Sequence, residues 1–273
     1  MSDFIAKYGS KFVYSSIEQY AYCVEMEEET EEKFFRDVAY EVHRILGLPE
    51  FYNFNAWCDV EKSSGLGSSS ALVVSIIKFL LINSNRYLER KDLVDLAYRI
   101  EREILEMPGG IQDHIAAVYP GSAVCEINCN GERVLTSIDI HDTIPIHLTA
   151  FFKSREVSSD LCVRDTKESK DEYRRDILDL VNPVSCALER GEIENLGRLI
   201  HQSWCNKRSF GSSISTNEFD DLYDILLRNG DIYGGKLSGA GGGGAGFFLS
   251  PISKKHNVVR ALSSREYTVM RFL

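Results

Sequence analysis

A run of glycine and serine residues at positions 63–71 constrains the fold of this chain more than any other stretch. Upstream, residues 52–60 alternate polar and apolar side chains, which predicts a half-buried strand. Downstream, residues 71–82 are almost wholly apolar, too few to cross a membrane and too many for a typical strand, so they predict a buried helix. A small-residue loop before a helix N-terminus is either a phosphate site or an ordinary flexible turn.

Two common phosphate motifs do not match this run. A P-loop ends in Gly-Lys-Ser or Gly-Lys-Thr, and no lysine follows here. A dinucleotide-binding loop requires Gly-x-Gly-x-x-Gly, and Ser70 occupies the last of those positions. The nature of the bound anion therefore has to be inferred from other parts of the chain.

Composition narrows the class of protein. The 273 residues are 44% hydrophobic and 26% charged, as in ordinary globular proteins, and the net charge is -10. That acidic balance argues against a nucleic-acid partner, which needs a basic surface. We expect no membrane span and no signal peptide, and so no membrane partner and a cytoplasmic protein with reduced thiols. Cys125 and Cys129 are predicted to be packed strand thiols rather than zinc ligands, because no second Cys or His pair accompanies them.

The first half of the chain contains patterns of both strands and helices. Residues 12–14 and 20–24 predict strands, and Thr30 is expected to cap a helix that ends at Gly47. Residues 91–107 predict one amphipathic helix. Glu101 occurs in an apolar row of that helix, which directs its carboxylate toward the interior or a cleft. A simple pairing with a neighbouring arginine is equally compatible with the pattern.

The segment after this helix combines a break with an acidic residue. Pro108, Gly109 and Gly110 end the helix and allow the backbone to approach a ligand closely. Asp113 then falls in the first turn of a new helix, where it either complements the helix dipole or points into the space that the glycines leave open. His114 is predicted to be a supporting hydrogen-bonding residue.

The second half begins with strands and ends with a glycine-rich stretch. Residues 121–128, 133–140 and 144–152 predict strands, and residues 160–188 predict helix interrupted at Asn182-Pro183. Two cations, Lys207 and Arg208, end a later helix, where they either face solvent or contact an anion. Residues 239–246 contain six glycines, which is costly for a purely structural loop and favours close approach to a ligand.

Three motifs in this order resemble the kinase superfamily of galactokinase, homoserine kinase, mevalonate kinase and phosphomevalonate kinase. The phosphate loop of that family, Pro-x-x-x-Gly-Leu-Gly-Ser-Ser, is similar to residues 65–69, with Glu61 in place of the proline. Its C-terminal glycine motif is similar to residues 236–244. The Pro-Gly-Gly-Ile-Gln-Asp segment and residues 204–215 are most similar to the sugar-phosphate branch, in particular D-glycero-D-manno-heptose 7-phosphate kinases.

The resemblance implies an α+β fold with two domains. Residues 1–148 would form the N-terminal, ATP-binding α/β unit with a left-handed βαβ crossover, an exception to the usual hand. Residues 149–273 would form a ferredoxin-like domain, with the active site in the cleft between the two.

The resemblance also implies roles for individual residues. Asp113 would accept the proton of the attacking sugar hydroxyl, and Ser69 and Glu101 would bind Mg²⁺. The residues expected to bind ATP are Ser64, Gly65, Leu66, Gly67, Ser68, Ser69 and Ser70. The residues expected to contact the substrate or its phosphate are Gly109, Gly110, Gln112, Arg155, Lys207, Arg208, Ser238, Gly239, Ala240, Gly241 and Gly242.

Two departures from the family pattern concern the start of the chain. The family begins with a strand followed by Gly-Gly-Gly-Thr-Asp, and that element would fall before Met1. The stretch between Val24 and Phe51 is also expected to be shortened beside the nucleotide pocket. We expect from this that the strand at residues 12–14 lacks a neighbour and that the chain from Met1 binds nucleotide but works poorly as a kinase.

The function predicted from sequence is ATP-dependent phosphorylation of D-glycero-D-manno-heptose 7-phosphate at its anomeric hydroxyl, with ATP and Mg²⁺ as cofactors. The alternatives are a kinase for another sugar, such as fucose or galactose, and a non-catalytic relative that binds nucleotide or sugar phosphate. The sequence leaves the oligomeric state open.

Overall fold

A computed structural model of the chain describes residues 9–28, 30–48, 52–169 and 171–270, whose contacts divide it into two compact units. One unit spans Ser16–Pro120, and the other combines the strand that ends at Ser15 with the residues from Gly121 onward. The boundary predicted between residues 148 and 149 is a division along the sequence, and it stays a prediction.

Strands and helices are mixed along the described part of the chain, with a run of five helices between Ser159 and Arg228. The strands are β1 (Ser10–Ser15), β2 (Ala21–Glu25), β3 (Phe54–Cys58), β4 (Ser122–Ile127), β5 (Arg133–Ser137), β6 (Leu148–Lys153), β7 (Gly234–Leu237), β8 (Gly244–Leu249) and β9 (Thr268–Met270). The α-helices are α1 (Lys33–Leu46), α2 (Ser68–Asn83), α3 (Arg90–Tyr98), α4 (Gln112–Val118), α5 (Ile144–His147), α6 (Ser159–Glu168), α7 (Asp171–Asp179), α8 (Val181–Arg190), α9 (Ile193–Arg208), α10 (Asn217–Arg228) and α11 (Lys255–Ser263). A π-helical segment (Arg99–Ile104) follows α3, and a 3₁₀ turn (Ile252–Lys254) precedes α11.

Helix α2 is the centre of the unit formed by residues 16–120. Val73, Ile76, Ile77 and Leu80 are all fully buried. The helix contacts β2, β3, α1, α3 and α4, because a helix that is apolar on all sides needs neighbours on all sides. The buried helix predicted from the apolar run is confirmed, and it begins at Ser68, directly after the glycine-serine loop.

The stretch predicted as one helix over residues 91–107 has two parts. Helix α3 ends at Tyr98, and the backbone continues as the π-helical segment. The N–H of Leu105 donates to the carbonyl of Ile100 at 2.9 Å, which is the wider spacing of a π-helix. The single regular helix was therefore a wrong prediction, and Glu101 lies within the altered segment.

Three other local predictions are corrected in the same way. Residues 144–152 are not one strand: α5 comes first, with Pro145 in its first turn, and only then β6. Pro183 does not interrupt a helix, because it lies in the first turn of α8, where its missing N–H costs no intrahelical hydrogen bond. Thr30 accepts a hydrogen bond from the N–H of Glu32 at 3.3 Å, but the helix begins only at Lys33.

The unit containing the second half of the chain has two antiparallel sheets. One has the order β1-β4-β5, in which Ser10 pairs with Ile127 and Ser15 with Ser122. The N-terminal strand that the family places on the other side of β1, and that was predicted to be absent here, would lie before Ser10, outside the described residues. The other sheet has the order β7-β8-β6-β9. With helices between β6 and β7 and between β8 and β9, this order is the ferredoxin-like arrangement that was predicted.

Aromatic side chains form the core between the four-stranded sheet and its helices. Phe151, Trp204, Phe219, Tyr223 and Phe248 are almost completely buried. The rings of Phe151 and Phe248 lie 4.9 Å apart, close enough for favourable ring contacts. This core holds α9 and α10 against the sheet and thereby fixes the position of the cations at the end of α9.

All seven cysteines are among the described residues, and each is a free thiol; Cys125 is buried and Cys129 exposed. In the described ranges, no group of three or more His, Cys, Asp and Glu side chains could hold a metal ion. No helix in that part of the chain is long and apolar enough to cross a membrane.

Candidate active site

The glycine-serine loop has the backbone geometry of an anion site. Ser63, Gly65 and Gly67 have positive φ angles of 62°, 83° and 75°, so every second residue is left-handed. Such alternation turns successive N–H groups toward one side of the loop. Gly67 is the N-cap of α2 and supplies no capping side chain, which leaves the first N–H groups of the helix free to bind a phosphate.

Glu101 lies directly beneath this loop and is 0% exposed. Its carboxylate accepts hydrogen bonds from the hydroxyls of Ser69 and, at 2.9 Å, Ser70. Arg102 Nη1 lies 3.3 Å from Oε1, and His114 Nε2 lies 2.7 Å from Oε2. We call these five residues the carboxylate network.

The network keeps Glu101 ionised although it is buried. Burial alone would raise the pKa of Glu101, but contact with His114, the charge of Arg102 and the hydrogen bond from Ser69 together outweigh it, so the pKa is lowered. A buried charge is tolerated in proteins when it is paired and hydrogen-bonded, as here. The prediction that Glu101 points inward is thus confirmed, and its arginine neighbour is Arg102.

Arg102 connects the network to the Pro-Gly-Gly break. Its guanidinium donates to the Pro108 carbonyl and to the Ser70 hydroxyl, both at 2.9 Å. A Cβ on Gly109 would lie 2.6 Å from the Arg102 guanidinium carbon, and the φ of Gly109 is 148°. A glycine is therefore required at position 109 because the backbone there packs closely against the Arg102 side chain. A Cβ on Gly110 would likewise meet the side chain of Gln112 at 2.1 Å.

Asp113 is brought to the glycine-serine loop, as its predicted role requires. An ideal Cβ on Gly67 would lie 3.4 Å from Asp113 Cγ and 3.6 Å from Oδ1, so the carboxylate faces Gly67 across a gap that one methyl group would fill. Water reaches Asp113, but the surrounding protein atoms reduce its hydration and raise the pKa; Arg102 and His114 lower it, and Glu101 raises it. A carboxylate with a raised pKa is a better proton acceptor.

The other unit brings three cations together around the loop formed by residues 238–243. Lys207 Nζ donates to the Gly239 carbonyl at 2.5 Å. Arg155 lies at the opposite end of the loop, where a Cβ on Gly243 would come within 2.9 Å of its Cα. Lys236 is in β7, two residues before the loop. We call Arg155, Lys207 and Lys236 the cation cluster.

The charges of this cluster act against one another. Loss of hydration lowers the pKa of Lys207 to about 7, and the charges of Lys236 and Arg155 contribute, with Cys162 acting in the opposite direction. Loss of hydration also lowers the pKa of Lys236 and of Arg155. Among the described residues, none of the three has a carboxylate partner.

Arg208 is not brought to the cluster with Lys207. Its guanidinium donates to Asp220 at 3.0 Å and lies 5.9 Å from the centre of the Tyr223 ring. These contacts hold the Arg208 side chain against α10. Its predicted role at a substrate phosphate therefore receives no support from the geometry.

The glycine-rich loop is packed against protein for much of its length. A Cβ on Gly241 would lie 2.4 Å from the Ile214 carbonyl oxygen, and one on Gly242 would lie 2.8 Å from Cys162 Sγ. Gly242 also accepts hydrogen bonds from the N–H groups of Glu156 and Val157. Packing against protein is thus one reason for these two glycines, and their predicted contact with the substrate stays a prediction. Ser238, Gly239 and Ala240 lie at the part of the loop that Lys207 contacts.

Sequence reasoning missed one member of these two clusters, Lys236, which was named only as the start of a motif. Lys236 could have been noticed as a lone cation in a strand next to six glycines. Ser70 was predicted to bind ATP, and Arg99 and Arg102 were the two arginines considered as partners of Glu101. The structure chooses Arg102, and it adds the hydrogen bonds of Ser70 to Glu101 and Arg102, which the spacing of the residues does not show.

Comparisons with known proteins give a consistent result. The model of the GHMP kinases N terminal domain matches residues 33–121, and that of the GHMP kinases C terminal matches residues 187–268. A D-glycero-alpha-D-manno-heptose 7-phosphate kinase of Campylobacter jejuni is 31% identical over 236 residues, which are 82% of this chain and 68% of that protein.

Solved structures with the same fold cover nearly the whole chain. A D-glycero-D-manno-heptose 1-phosphate kinase from Bacteroides thetaiotaomicron superposes with a TM-score of 0.77 at 22% identity, covering 100% of this chain and 90% of that one. Streptococcus pneumoniae phosphomevalonate kinase, in complex with phosphomevalonate and AMPPNP, gives a TM-score of 0.79 at 14% identity over 99% and 95% of the two chains. These matches confirm the predicted fold class.

Proposed function

Since this chain belongs to the GHMP kinase family and is an ATP-dependent sugar kinase, we propose that it phosphorylates D-glycero-D-manno-heptose 7-phosphate at the anomeric hydroxyl. The relative from Campylobacter jejuni supports the choice of sugar. The observation that carries the proposed chemistry is the position of the Asp113 carboxylate beside Gly67, which puts a proton acceptor next to the proposed phosphate loop.

Each part of the 16–120 unit has a task in this reaction. The N–H groups of the loop at residues 64–70 bind the ATP phosphates at the positive end of α2. The oxygen of the sugar hydroxyl bonds to the γ-phosphorus of ATP while the bond from that phosphorus to the ADP oxygen breaks. Asp113 accepts the proton that the hydroxyl loses. Most of the rate enhancement then comes from positioning and from stabilising charge.

Ser69 and Glu101 are the proposed ligands of Mg²⁺, which neutralises phosphate charge when bound. Both offer oxygen atoms, the ligand type that this cation prefers, and the network keeps Glu101 ionised. The two side chains are already in contact and lie at the phosphate loop, so the donor set fits a cation shared with phosphate oxygens.

The nucleoside is proposed to occupy a cavity of about 520 Å³ in the same unit. Phe35, Phe54, Trp57 and Leu72 supply apolar wall, and Ser68 connects the cavity to the phosphate loop. The cavity is also lined by charged side chains, those of Glu28, Glu31, Glu32 and Lys62. Small-molecule sites usually combine apolar walls with polar groups that fix the ligand's orientation. Arg155 and Lys207, but not Arg208, are proposed to contact the phosphate of the sugar phosphate.

A coupled assay of ADP release over matched sugars tests the proposal. We expect heptose 7-phosphate to be the best substrate, ahead of the free heptose, fucose and galactose, with ³¹P NMR of the product showing a phosphate on the anomeric oxygen. A better rate with a free sugar would overturn the substrate assignment. Nucleotide binding without ADP release in the presence of any sugar would instead support the non-catalytic alternative.

We also propose that the reaction takes place in the reducing cytoplasm, which the free thiols fit.

A further inference from the structure

The three members of the cation cluster come from three separate elements. Lys207 is in the last turn of α9, Lys236 is in β7, and Arg155 is in the segment between β6 and α6. Each adjoins the loop of residues 238–243, which therefore has positive charge at its start, its middle and its end. A single surface lysine usually faces water without a function, but three cations held around one loop repel one another and require a reason.

Arg155 gives an independent indication of anion binding. Its Nε and Nη1 atoms are buried and have no hydrogen-bond partner among the described residues. Buried donors in proteins are nearly always satisfied, and a charged donor without a partner is especially unfavourable. A guanidinium is also the side chain best suited to bind the oxygens of a phosphate.

Lys236 is the next-to-last residue of β7, close to the loop that the other two cations adjoin. In β7 its neighbour Leu237 is buried, while Lys236 alternates to the other face of the sheet and is only partly exposed. The charge of Lys236 lowers the pKa of Lys207, so the two ammonium groups share one electrostatic environment. A lysine serving only as a solvated strand residue would not be held beside a second cation.

We propose that Lys236 completes, with Arg155 and Lys207, a site for a phosphate monoester, and that this site selects sugar phosphates over free sugars. This inference rests on the proposed function, because it names a specificity residue for the same substrate. A dianionic phosphate would supply the negative charge that the cluster lacks and the acceptors that Arg155 lacks. Lys236 binds and selects; it takes no part in the chemical step.

Filling the site should also change the protonation of Lys207. The free enzyme at pH 8 holds Lys207 largely neutral, since its pKa is about 7, and a bound dianion restores the proton. A phosphate monoester has a second pKa of about 6, so at pH 8 it is already dianionic and its own proton does not contribute. Proton uptake at this pH therefore reports on the two lysines of the cluster, because the pKa of Lys236 is lowered as well. The charged or titratable groups that act on Lys207 are Lys236, Cys162 and Arg155.

Calorimetric titrations at pH 8, in two buffers of different ionisation enthalpy, test the site. The probes are inorganic phosphate, D-mannose 6-phosphate and Mg²⁺-free ADP. We expect Lys236→Met to weaken the first two by about tenfold to a hundredfold, the usual value of a charge-assisted hydrogen bond, with ADP little affected. Lys236→Arg should restore most of the affinity, and Lys207→Arg should bind with less proton uptake than the wild type, because its guanidinium is already charged.

Arg198→Gln is the matched control, because it removes one positive charge from an exposed, ion-paired position of the same helix as Lys207. Its phosphate affinity should equal that of the wild type. Unchanged phosphate binding in Lys236→Met would overturn the site, and weakened ADP with unchanged D-mannose 6-phosphate would overturn the selection of the substrate.

Kinetics separate this inference from the proposed function. Lys236→Met should raise the KM for heptose 7-phosphate with kcat nearly unchanged, since it removes binding and not chemistry. If no sugar is phosphorylated by the wild type while phosphate binding still depends on Lys236, the proposed function fails and the site stands. If Lys236→Met lowers kcat and leaves KM unchanged, the residue is not a specificity residue.

Discussion

The carboxylate network and the cation cluster hold charge in opposite ways. Glu101 is fully buried, yet Ser69, Ser70, Arg102 and His114 satisfy its carboxylate from within the protein. The cation cluster is only partly buried, yet its charges have no acidic partner in the described part of the chain. In the first arrangement the protein itself supplies partners of opposite charge, whether or not the proposed Mg²⁺ is bound, whereas in the second the pKa values are lowered.

This difference shows which charges serve positioning and which serve binding. A satisfied buried carboxylate has one geometry and holds the phosphate loop, α4 and the π-helical segment in register. Unsatisfied cations have a strong preference for an arriving anion, since binding removes their mutual repulsion. The predictions below alter one region at a time, so that the other serves as its reference.

Asp113→Asn should have the largest effect. The amide cannot accept the proton of the sugar hydroxyl, so kcat should fall by at least about a hundredfold. Binding of ATP and of sugar phosphate should persist, because Asp113 belongs to neither region. Turnover assays alongside calorimetric titration check this, and near-wild-type turnover would dismiss Asp113 as the base.

Glu101→Gln should leave Arg102 and His114 without an acidic partner, as the cations of the cluster are. Arg102 and His114 would remain buried beside a neutral side chain, which typically costs about 3–5 kcal/mol of unfolding free energy. Ser69→Ala removes one hydrogen bond to a charged group and should cost only about 1.5–3 kcal/mol. Urea unfolding measures both variants.

The same pair of variants tests the proposed Mg²⁺ ligands. Each should raise the Mg²⁺ concentration needed for half-maximal activity, because each removes an oxygen ligand or its charge. If the Mg²⁺ titration is unchanged in Ser69→Ala, while Glu101→Gln is merely less stable, the carboxylate network is structural and the metal lies elsewhere.

Gly242→Ala should disturb the loop that the cation cluster surrounds. Its φ is 72°, and the new Cβ would lie 2.8 Å from Cys162 Sγ and 2.9 Å from Val157 Cβ. Gly230→Ala is a matched control, with φ 66° and no atom within 4 Å. Left-handed strain alone should cost about 1–2 kcal/mol in both, and any further loss in Gly242→Ala measures the contacts. Equal losses would show that the loop tolerates a side chain there.

Lys207→Met should have the smallest effect, seen in the pH dependence of stability. The pKa of Lys207 is lowered from 10.5 to about 7, so between these values the unfolded chain holds a proton that the folded chain has released. Stability then rises with pH across this window and is reduced below pH 7, where Lys207 is charged beside Lys236 and Arg155. The variant should lose this rise in melting temperature between pH 6.5 and 8.5, and added phosphate should diminish it in the wild type. Identical pH slopes without phosphate would contradict the mutual repulsion.

The parts of the site that could be predicted are those whose signal is local. Glycines at positions 65 and 67 before an apolar helix indicate a phosphate loop because backbone freedom and helix polarity act over a few residues. Glu101 in an apolar row indicates burial for the same reason. Arg208 and Lys207 are adjacent in the sequence and could not be distinguished; only the packing of Asp220 and Tyr223 against α9 separates an ion-paired arginine from a lysine with no carboxylate partner.

The sequence by itself determined the glycine-serine loop, the buried helix that follows it and the presence of Asp113 at a helix start, since each depends on residue type and spacing along the chain. The tertiary structure decided that α3 gives way to a π-helical segment, that Gly109 and Gly242 are needed against protein atoms, and that Lys236 joins Arg155 and Lys207. These are consequences of side chains far apart in sequence competing for the same space and charge, which no local pattern of residues records.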